Sequence, residues 1–586
     1  MRKLMTGNEA VARGAYEAGC AVATAYPGTP STEILENVAK YKEVYSQWSP
    51  NEKVAVEVAS GASFVGARAM SAMKVVGLNV AMDPLMTGAY LGVRGGLVVI
   101  VADDPSCTSS QDEQDNRLVA PFGKLPLIEP TNSQECKDYI KYAFELSEKF
   151  DIPVLFRMTT RVCHSKTIVE LGERVEVPIS EYVKTGKYLS SPETSRKNHA
   201  RLEKMLVSLS EESNYSPLNT LEWGNSKEIG IVTSGMSYQI AKEVFGDSVS
   251  YLKLGMSFPF PQKLVKKFAK SVSKLYVIEE NEPFIENFIK QMGIECIGKE
   301  FIPAMNELTP KIVRDALLPK KEVELYQSDI VAPPRPPVLC SGCPHRPIFY
   351  AVSKYKDVVA ANDIGCYTLG MAPPLNVSDA LLCMGGGISL GIGFNKAFMK
   401  SGQKKKVFGF MGDSTFFHSG ITGLIDAVWN KSDMVICLLD NRTTAMTGHQ
   451  ENPGTGRTLM GEEAPVLDME QIVKAAGVQE DHIRVVDAYD FAAVEKAVKD
   501  GHDSTGVFVI ITKQPCALIK EVQKKRANIY CYVDNEKCTK CKVCLKTGCP
   551  SLSFKNDEIT IHRAMCNGCG LCQQVCKFNA IIKVGE

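Results

Sequence analysis

Short apolar runs punctuate the chain at wide intervals: "GLVVIVAD", "PVLFRMT", "EIGIVTSG", "KLYVIEEN", "KVFGFMGD", "DMVICLLDN" and "GVFVIITK". Each is nearly continuous in hydrophobicity, as a strand buried on both faces of a parallel sheet must be. Amphipathic stretches with helical spacing separate them, and that alternation predicts α/β domains built on doubly wound parallel sheets. Three segments break the pattern. "SRKNHARLEKMLVSLSEESNYS" (195–216) is polar and reads as a separator, "VAPPRPPVLC" (331–340) is a stiff proline-rich linker, and "KEVQKKRANIY" (520–530) is a basic connector. Four domains are expected, at 1–180, 215–325, 335–520 and 530–586. No low-complexity tract occurs, and the one internal repeat is a pair of cysteine runs near the end.

Composition narrows the class. The 586 residues are 45% hydrophobic and 23% charged, ordinary for globular chains. Lysines and arginines number 67, as do aspartates and glutamates, so no overall positive charge argues for nucleic acid. The N-terminus lacks the apolar core of a signal peptide, and no run of eighteen apolar residues predicts a membrane span. There are twenty cysteines; the crowding of many of them at metal-cluster spacing fits a reducing compartment, not a disulfide framework. The expected location is cytoplasmic.

The cysteine runs are "CTKCKVCLKTGC" (538–549) and "CNGCGLCQQVC" (566–576). Each has three cysteines separated by two residues and a fourth further on. Three thiolates at that spacing can hold three irons of a cubane, and in two-cluster ferredoxins the fourth cysteine of each run serves the other cluster. The expected [4Fe-4S] sets are therefore Cys538, Cys541, Cys544 and Cys576, and Cys566, Cys569, Cys572 and Cys549. Zinc also uses paired C-x-x-C motifs but has no need of a third cysteine in phase in both runs. Two departures from the bacterial pattern stand out: four residues precede Cys549 where three are usual, and Lys577 stands where a proline is often found.

The stretch "GFMGDSTFFHSGITGLIDAVWNKSDMVICLLDNRTTAMTGHQ" places a strand end at Gly412-Asp413-Ser414 and a second at Asp440-Asn441. Both ends should reach one edge of a parallel sheet, where such sheets bind ligands. Asp413, Asn441 and the carbonyl of Thr443 then form an oxygen set suited to Mg²⁺ with a ligand's phosphates. The span resembles the thiamine diphosphate motif, Gly-Asp-Gly followed by Asn-Asn, with Ser414 in place of the last glycine and Asp440 in place of the first asparagine. Thiamine enzymes also place a glutamate at the cofactor's aminopyrimidine, where it promotes proton transfer. "VEVASGASFVGARAM" (56–70) resembles their glutamate helix, which makes Glu57 the candidate and Glu52 its rival. Gly385, Gly386 and Gly387 open a further helix whose amides could help bind the diphosphate, although close packing also calls for glycine.

Taken together, these motifs resemble the 2-oxoacid:ferredoxin oxidoreductases over nearly the whole chain. "AYPGTPSTE" (25–33) looks like the family's substrate loop, usually "YPITPS", whose threonine meets the 2-oxo acid; the matching residue is Thr29. The order of pyrimidine domain, transketolase-C-like domain, diphosphate domain and ferredoxin-like tail, with "CSGCPHRP" and "GDSTFFHSG", is most similar to the large (alpha) subunit of indolepyruvate:ferredoxin oxidoreductases. The resemblance implies oxidative decarboxylation of arylpyruvates with coenzyme A to aryl-acetyl-CoA, CO₂ and reduced ferredoxin. It also implies thiamine diphosphate, Mg²⁺, a smaller beta subunit as partner in a hetero-oligomer, and ferredoxin as acceptor. The family's cluster nearest thiamine draws cysteines from places similar to Cys340, Cys343, Cys366 and Cys516, which implies a third [4Fe-4S] cluster; four buried unligated thiols is the other reading. Gly28 replaces the family's isoleucine, either to allow a turn with positive φ or to leave room for an aromatic ring.

Pyruvate-using relatives carry an arginine for the substrate carboxylate shortly after a strand in the first domain, and here two aspartates stand at that strand end. The corresponding strand ends "VVIVADDPSCTSSQDEQDNR", with Arg117 as the nearest downstream arginine, and the carboxylate partner stays open. His345 either faces the substrate or is structural. Alternatives at this level are an oxidoreductase for pyruvate or branched-chain 2-oxo acids, a non-oxidative thiamine decarboxylase with structural clusters, and an electron-transfer module on a degenerate thiamine fold.

Overall fold

The computed structural model describes residues 1–179, 181, 183–184, 186–318 and 328–585. It forms two compact units, Met1–Tyr326 and Gln327–Glu586. The domain limits expected at 180 and 325 lie outside the described residues.

The first unit is built on a seven-stranded sheet in the order Met256–Phe258, Leu127–Ile128, Val154–Thr159, Leu97–Asp103, Ala69–Lys74, Val22–Ala25, Tyr45–Trp48. All pairings are parallel except at the Met256–Phe258 edge. Every residue of Leu97–Asp103 is buried, which is why this central strand reads as one unbroken apolar run. A second sheet orders Lys274–Ile278, Ile229–Thr233, Ser250–Leu254 and Asn219–Glu222, the last antiparallel. The Met256–Phe258 strand leaves that region to extend the first sheet, so the stretch expected as a separate second domain is tied into the first.

The polar segment read as a separator is a helix, Pro192–Tyr215, capped by the Ser191 side chain. Leu202, Met205, Leu209 and Ser213 form its buried stripe. Their spacing of three and four is a helical face, which the polar majority of the segment hides.

The second unit carries a six-stranded parallel sheet: Ala380–Leu381, Val358–Asn362, Lys406–Gly412, Met434–Asp440, Val507–Lys513, Ile483–Asp487. Alternate residues of its strands feed two cores. Phe408, Phe410, Val435, Cys437, Leu439, Phe508 and Ile510 pack on one face, and Val407, Met411, Ile436, Leu438, Val509 and Ile511 on the other, as the two-residue period of a strand dictates. The cysteine-rich tail adds two antiparallel pairs, Tyr530–Val533 with Ile581–Val584 and Leu552–Lys555 with Glu558–Ile561. Its Leu571 and Val575 join the first of the two cores. Among the described residues no helix is long and apolar enough to cross a membrane.

Candidate functional site

In the second unit, Gly412 pairs with Leu439 across neighbouring parallel strands. Asp413 and Asp440-Asn441 therefore emerge side by side at the edge where ligands of such sheets bind. Asp413 is buried and its carboxylate accepts from Ser414 N (2.8 Å) and Asn452 Nδ2 (3.3 Å). Burial, then the charge of Asp440, pushes it up to about 7. Asn441 Oδ1 accepts from Thr443 N at 3.3 Å, and its Nδ2 faces His345 Nε2 at 3.2 Å. Burial lowers His345 to about 4, so the ring is neutral and Nε2 is the acceptor. His345 thus orients Asn441. Thr443 is buried, and Ser414 Oγ accepts from Thr444 Oγ1 at 2.9 Å. Gly412 has no room for a side chain, since a Cβ there would lie 2.5 Å from the Tyr367 ring.

The glycine turn before the next helix differs from expectation. Asp363 accepts from Gly385 N (2.9 Å) and Gly387 N (2.6 Å), while Gly386 N donates to Cys383 O (3.0 Å). Two of the three amides expected to meet a diphosphate are thus engaged by this buried carboxylate, which its burial raises to about 6, and the third by Cys383 O. Gly385, at φ +87°, is needed for the turn. Asp363 and Asn452 were invisible to motif reading, because an isolated Asp or Asn carries no spacing signal.

Two cavities open in the tail. Cys538, Cys541, Cys544 and Cys576 line one. Cys549, Cys566, Cys569 and Cys572 line the other, together with Cys531 and Arg346. The membership matches the exchange of fourth cysteines between the two runs. Backbone amides point at the sulfurs: Cys531 N donates to Cys566 Sγ (3.3 Å) and Ala580 N to Cys576 Sγ (3.4 Å). Among the described residues no three Cys, His, Asp or Glu side chains converge on a single-ion point; the thiols surround space instead.

Of the four further candidate cysteines, Cys340, Cys343, Cys366 and Cys516, the last two lie within charge range of Asp413. Burial raises Cys366 to about 12, with Cys516, Cys340 and Asp413 adding to it. Cys343 is raised to about 12 by burial, with Cys366 and Cys340 adding. Burial, Cys340 and Asp413 also raise Cys516, whose amide donates to Asn441 O at 2.9 Å. Cys340 and Cys366 thus each lie within charge range of the other three thiols. Tyr489, whose hydroxyl donates to Gly342 O (2.7 Å), is raised by burial and by Cys569, Cys343 and Cys516. Its bond to Gly342 ties it to the lining of the second tail cavity.

In the first unit, the substrate-like loop is held by Asn8 Nδ2 donating to Pro30 O (2.7 Å) and Ser31 Oγ donating to Gly28 O (2.8 Å). Thr29 is half-buried, and its carbonyl accepts from Ser109 Oγ at 3.2 Å. Gly28 departs from both expected reasons for glycine. Its φ is not positive, and a Cβ would lie 2.9–3.1 Å from the Lys74 stem. The vacancy is filled by that stem and leaves no room for a ring. Glu57 is about half exposed and ion-paired with Lys53 on one helix surface. Glu52, one turn earlier at the start of the same helix, Glu52–Phe64, is 5% exposed, and its Oε1 would lie 2.6 Å from a Cβ on Gly77. Arg117 is unavailable to a substrate: it pairs with Asp115 (2.6 Å) and Glu279 (2.7 Å) in a buried network.

Three family models match the chain. Residues 13–207 match the thiamine-diphosphate-binding region of pyruvate flavodoxin/ferredoxin oxidoreductases, 363–512 the C-terminal binding domain of thiamine pyrophosphate enzymes, and 559–582 a 4Fe-4S binding domain. The indolepyruvate oxidoreductase subunit IorA of Pyrococcus abyssi is 40% identical, covering 100% of this chain and 97% of its own. IorA of Methanothermobacter thermautotrophicus is also 40% identical, over 99% of this chain and 97% of its own. The 2-oxoglutarate synthase subunit KorA of Archaeoglobus fulgidus is 24% identical over 56% of this chain and 99% of its own. With thiamine-binding and 4Fe-4S-binding regions on one α/β chain, and full-length identity at this level, the chain belongs to the IorA family of 2-oxoacid:ferredoxin oxidoreductases.

Proposed function

We propose that the chain, joined to a smaller partner subunit, oxidatively decarboxylates arylpyruvates such as indolepyruvate with coenzyme A, and passes the electrons singly to a ferredoxin. The observation that carries this reading is the hydrogen bond from Cys516 N to Asn441 O at 2.9 Å: a cluster held by Cys516 and its neighbours would take up electrons beside the proposed diphosphate ligands. Thiamine diphosphate, when bound, supplies the carbanion chemistry that releases CO₂ from a 2-oxo acid and leaves two electrons to remove.

The residues fit their assigned groups. A buried carboxylate next to a second acid is costly as an anion, so Asp413 beside Asp440 suits a divalent cation with Asn441 and the Thr443 carbonyl as companions. Cys340, Cys343, Cys366 and Cys516 would hold a third [4Fe-4S] cluster beyond the two tail sets. For the aminopyrimidine we assign Glu52 in place of Glu57, because Glu52 is buried at the helix start, where a bound ring could meet it, whereas Glu57 is solvated and ion-paired with Lys53.

The test is the anaerobically purified two-subunit enzyme supplied with indolepyruvate, coenzyme A and a low-potential acceptor. Acceptor reduction with stoichiometric indoleacetyl-CoA is expected. Aldehyde release that needs no acceptor would overturn the oxidative reading.

A further inference from the structure

Lys74 ends the strand Ala69–Lys74, which lies between Val22–Ala25 and Leu97–Asp103 in the sheet. The loops after those two strands, one carrying Thr29 and the other Ser109, therefore flank it. Its stem packs on Gly28, the residue before Thr29. Its Nζ donates to Ser109 O at 2.8 Å, and Ser109 Oγ donates in turn to Thr29 O at 3.2 Å. The residue as a whole is half-buried, with its Nζ–Ser109 bond at the exposed rim.

Other cations of this sheet edge are committed. Arg157 pairs with Asp103 (2.6 Å) and Glu129 (2.8 Å), Arg117 with Asp115 and Glu279, and Arg161 with Glu307 (2.6 Å). His164 lies 3.8 Å from Glu33. Lys74 has no carboxylate within 4.0 Å among the described residues. Glu52, Asp104 and Asp112 act on it only at longer range, against a desolvation that lowers its pKa. A desolvated ammonium without a counter-ion is expensive to keep, and such groups collect where a charge is used. One of its three N–H donors is spent on Ser109 O, leaving two.

We propose that Lys74 binds the carboxylate of the 2-oxo acid, with Thr29 at the neighbouring oxo group. This rests on the reading of the chain as a 2-oxoacid oxidoreductase. The two groups of the substrate are on adjacent carbons, and the two residues are joined through Gly28 and Ser109. Lys74 thereby takes the place of the arginine missing from the Leu97–Asp103 strand end, where Asp103 is turned inward to Arg157. Gly28 is glycine because the lysine stem crosses it.

The experiment compares indolepyruvate with indoleacetaldehyde, which has the same ring and no carboxylate. The aldehyde and coenzyme A give the acyl-CoA with release of two electrons and two protons to the same acceptor, and no CO₂. The variant is Lys74→Met in the two-subunit enzyme, since methionine keeps an unbranched stem against Gly28 and removes the charge. For indolepyruvate, kcat/KM should fall on the order of 100-fold, mainly through KM, as when one partner of a desolvated charge pair is removed. For the aldehyde it should change by less than about threefold, and Lys74→Arg should restore part of the loss. An equal fall on both substrates would make Lys74 a latch between loops and overturn the proposal, as would no fall on either. Should the wild-type enzyme oxidise neither compound, the functional reading fails. Calorimetric binding of indole-3-propionate against its amide then decides Lys74: a carboxylate preference that survives Lys74→Met overturns the proposal, and one that vanishes supports it.

Discussion

Glu52→Gln and Glu57→Gln differ by one helical turn, and the structure separates their effects widely. Lys53 and Glu57 are 46% and 45% exposed and spaced i, i+4. Such pairs stabilise by roughly 0.3–0.5 kcal/mol, so Glu57→Gln should lower the melting temperature by about 1 °C at most and leave turnover within twofold. Glu52→Gln keeps the side-chain shape against Gly77 but removes the carboxyl. Loss of a positioned acid–base group lowers rates by roughly 10²–10⁴, which is about 3–5 kcal/mol in the barrier. The assay is steady-state acceptor reduction by the two-subunit enzyme, with melting curves and iron content as controls. The predicted gap between the two variants is thus at least about 50-fold. Equal losses, or a Glu52→Gln enzyme retaining more than about a tenth of its activity with Glu57→Gln inactive, would refute the assignment and return the role to Glu57.

Three further outcomes follow from the second unit. Asp413 has a folded value of about 7 against an ordinary 3.8. A raised value means that its contribution to the thiamine-free chain is fully present below about pH 3.8 and lost as pH rises through about 7, with a ceiling of roughly 4 kcal/mol. Asp413→Asn should flatten that pH dependence in denaturant melts and abolish Mg²⁺-dependent thiamine diphosphate binding; an unchanged pH slope would contradict it. Iron analysis of the anaerobic wild type should give about twelve irons per chain, four per cubane, and Cys366→Ser about eight; a wild type saturating near eight would remove the third cluster. The basic residues Lys524, Lys525, Arg526, Lys537, Lys540, Lys542 and Lys546 flank the first cysteine run, but Lys537 pairs with Asp534 (2.9 Å) and Lys540 with Asp557 (2.5 Å). If the rest steer an acidic ferredoxin, association should slow as salt shortens the screening length to about 8 Å and below, and a salt-independent rate would exclude steering.

What the sequence disclosed depended on whether the information was periodic or local. The seven apolar runs became strands because burial on both faces leaves an unbroken hydrophobic signature, and the tail cysteines fell into two cavities because ligand spacing is written directly in the chain. Glu57 was favoured over Glu52 by its place among small residues, yet exposure is set by which side of the helix faces the sheet. That depends on neighbours such as Gly77, distant from the helix motif. Lys74 carries no motif for the same reason: a lysine at a strand end is inconspicuous until the loops bearing Thr29 and Ser109 close on it. The loop glycine was noticed, but its cause was another residue's side chain, which no local pattern contains.

The connectors posed the opposite problem, since their composition suggested tethers. Arg346 argues otherwise for the tail. Its buried guanidinium donates to Leu339 O, to Cys340 O (2.9 Å) and to Thr547 O (3.0 Å), so one cation closes the end of the proline-rich stretch onto the first cysteine run of the tail. Ser551 Oγ meets Ser341 Oγ at 2.7 Å, and the Gln574 amide bridges Phe491 N and Tyr489 O, each at 2.8 Å. A tail swinging on a flexible linker would present a changing distance to the cysteines beside Asp413. These contacts fix it instead, because undocking would break the buried bond from the Arg346 guanidinium to Thr547 O, at about 1–3 kcal/mol, together with the Ser551–Ser341 and Gln574 contacts. The proline-rich stretch therefore holds Cys340 in place through its carbonyl on Arg346, a residue that also lines the second tail cavity, and the tail's two cysteine sets are packed against the same unit as the sheet that presents Asp413.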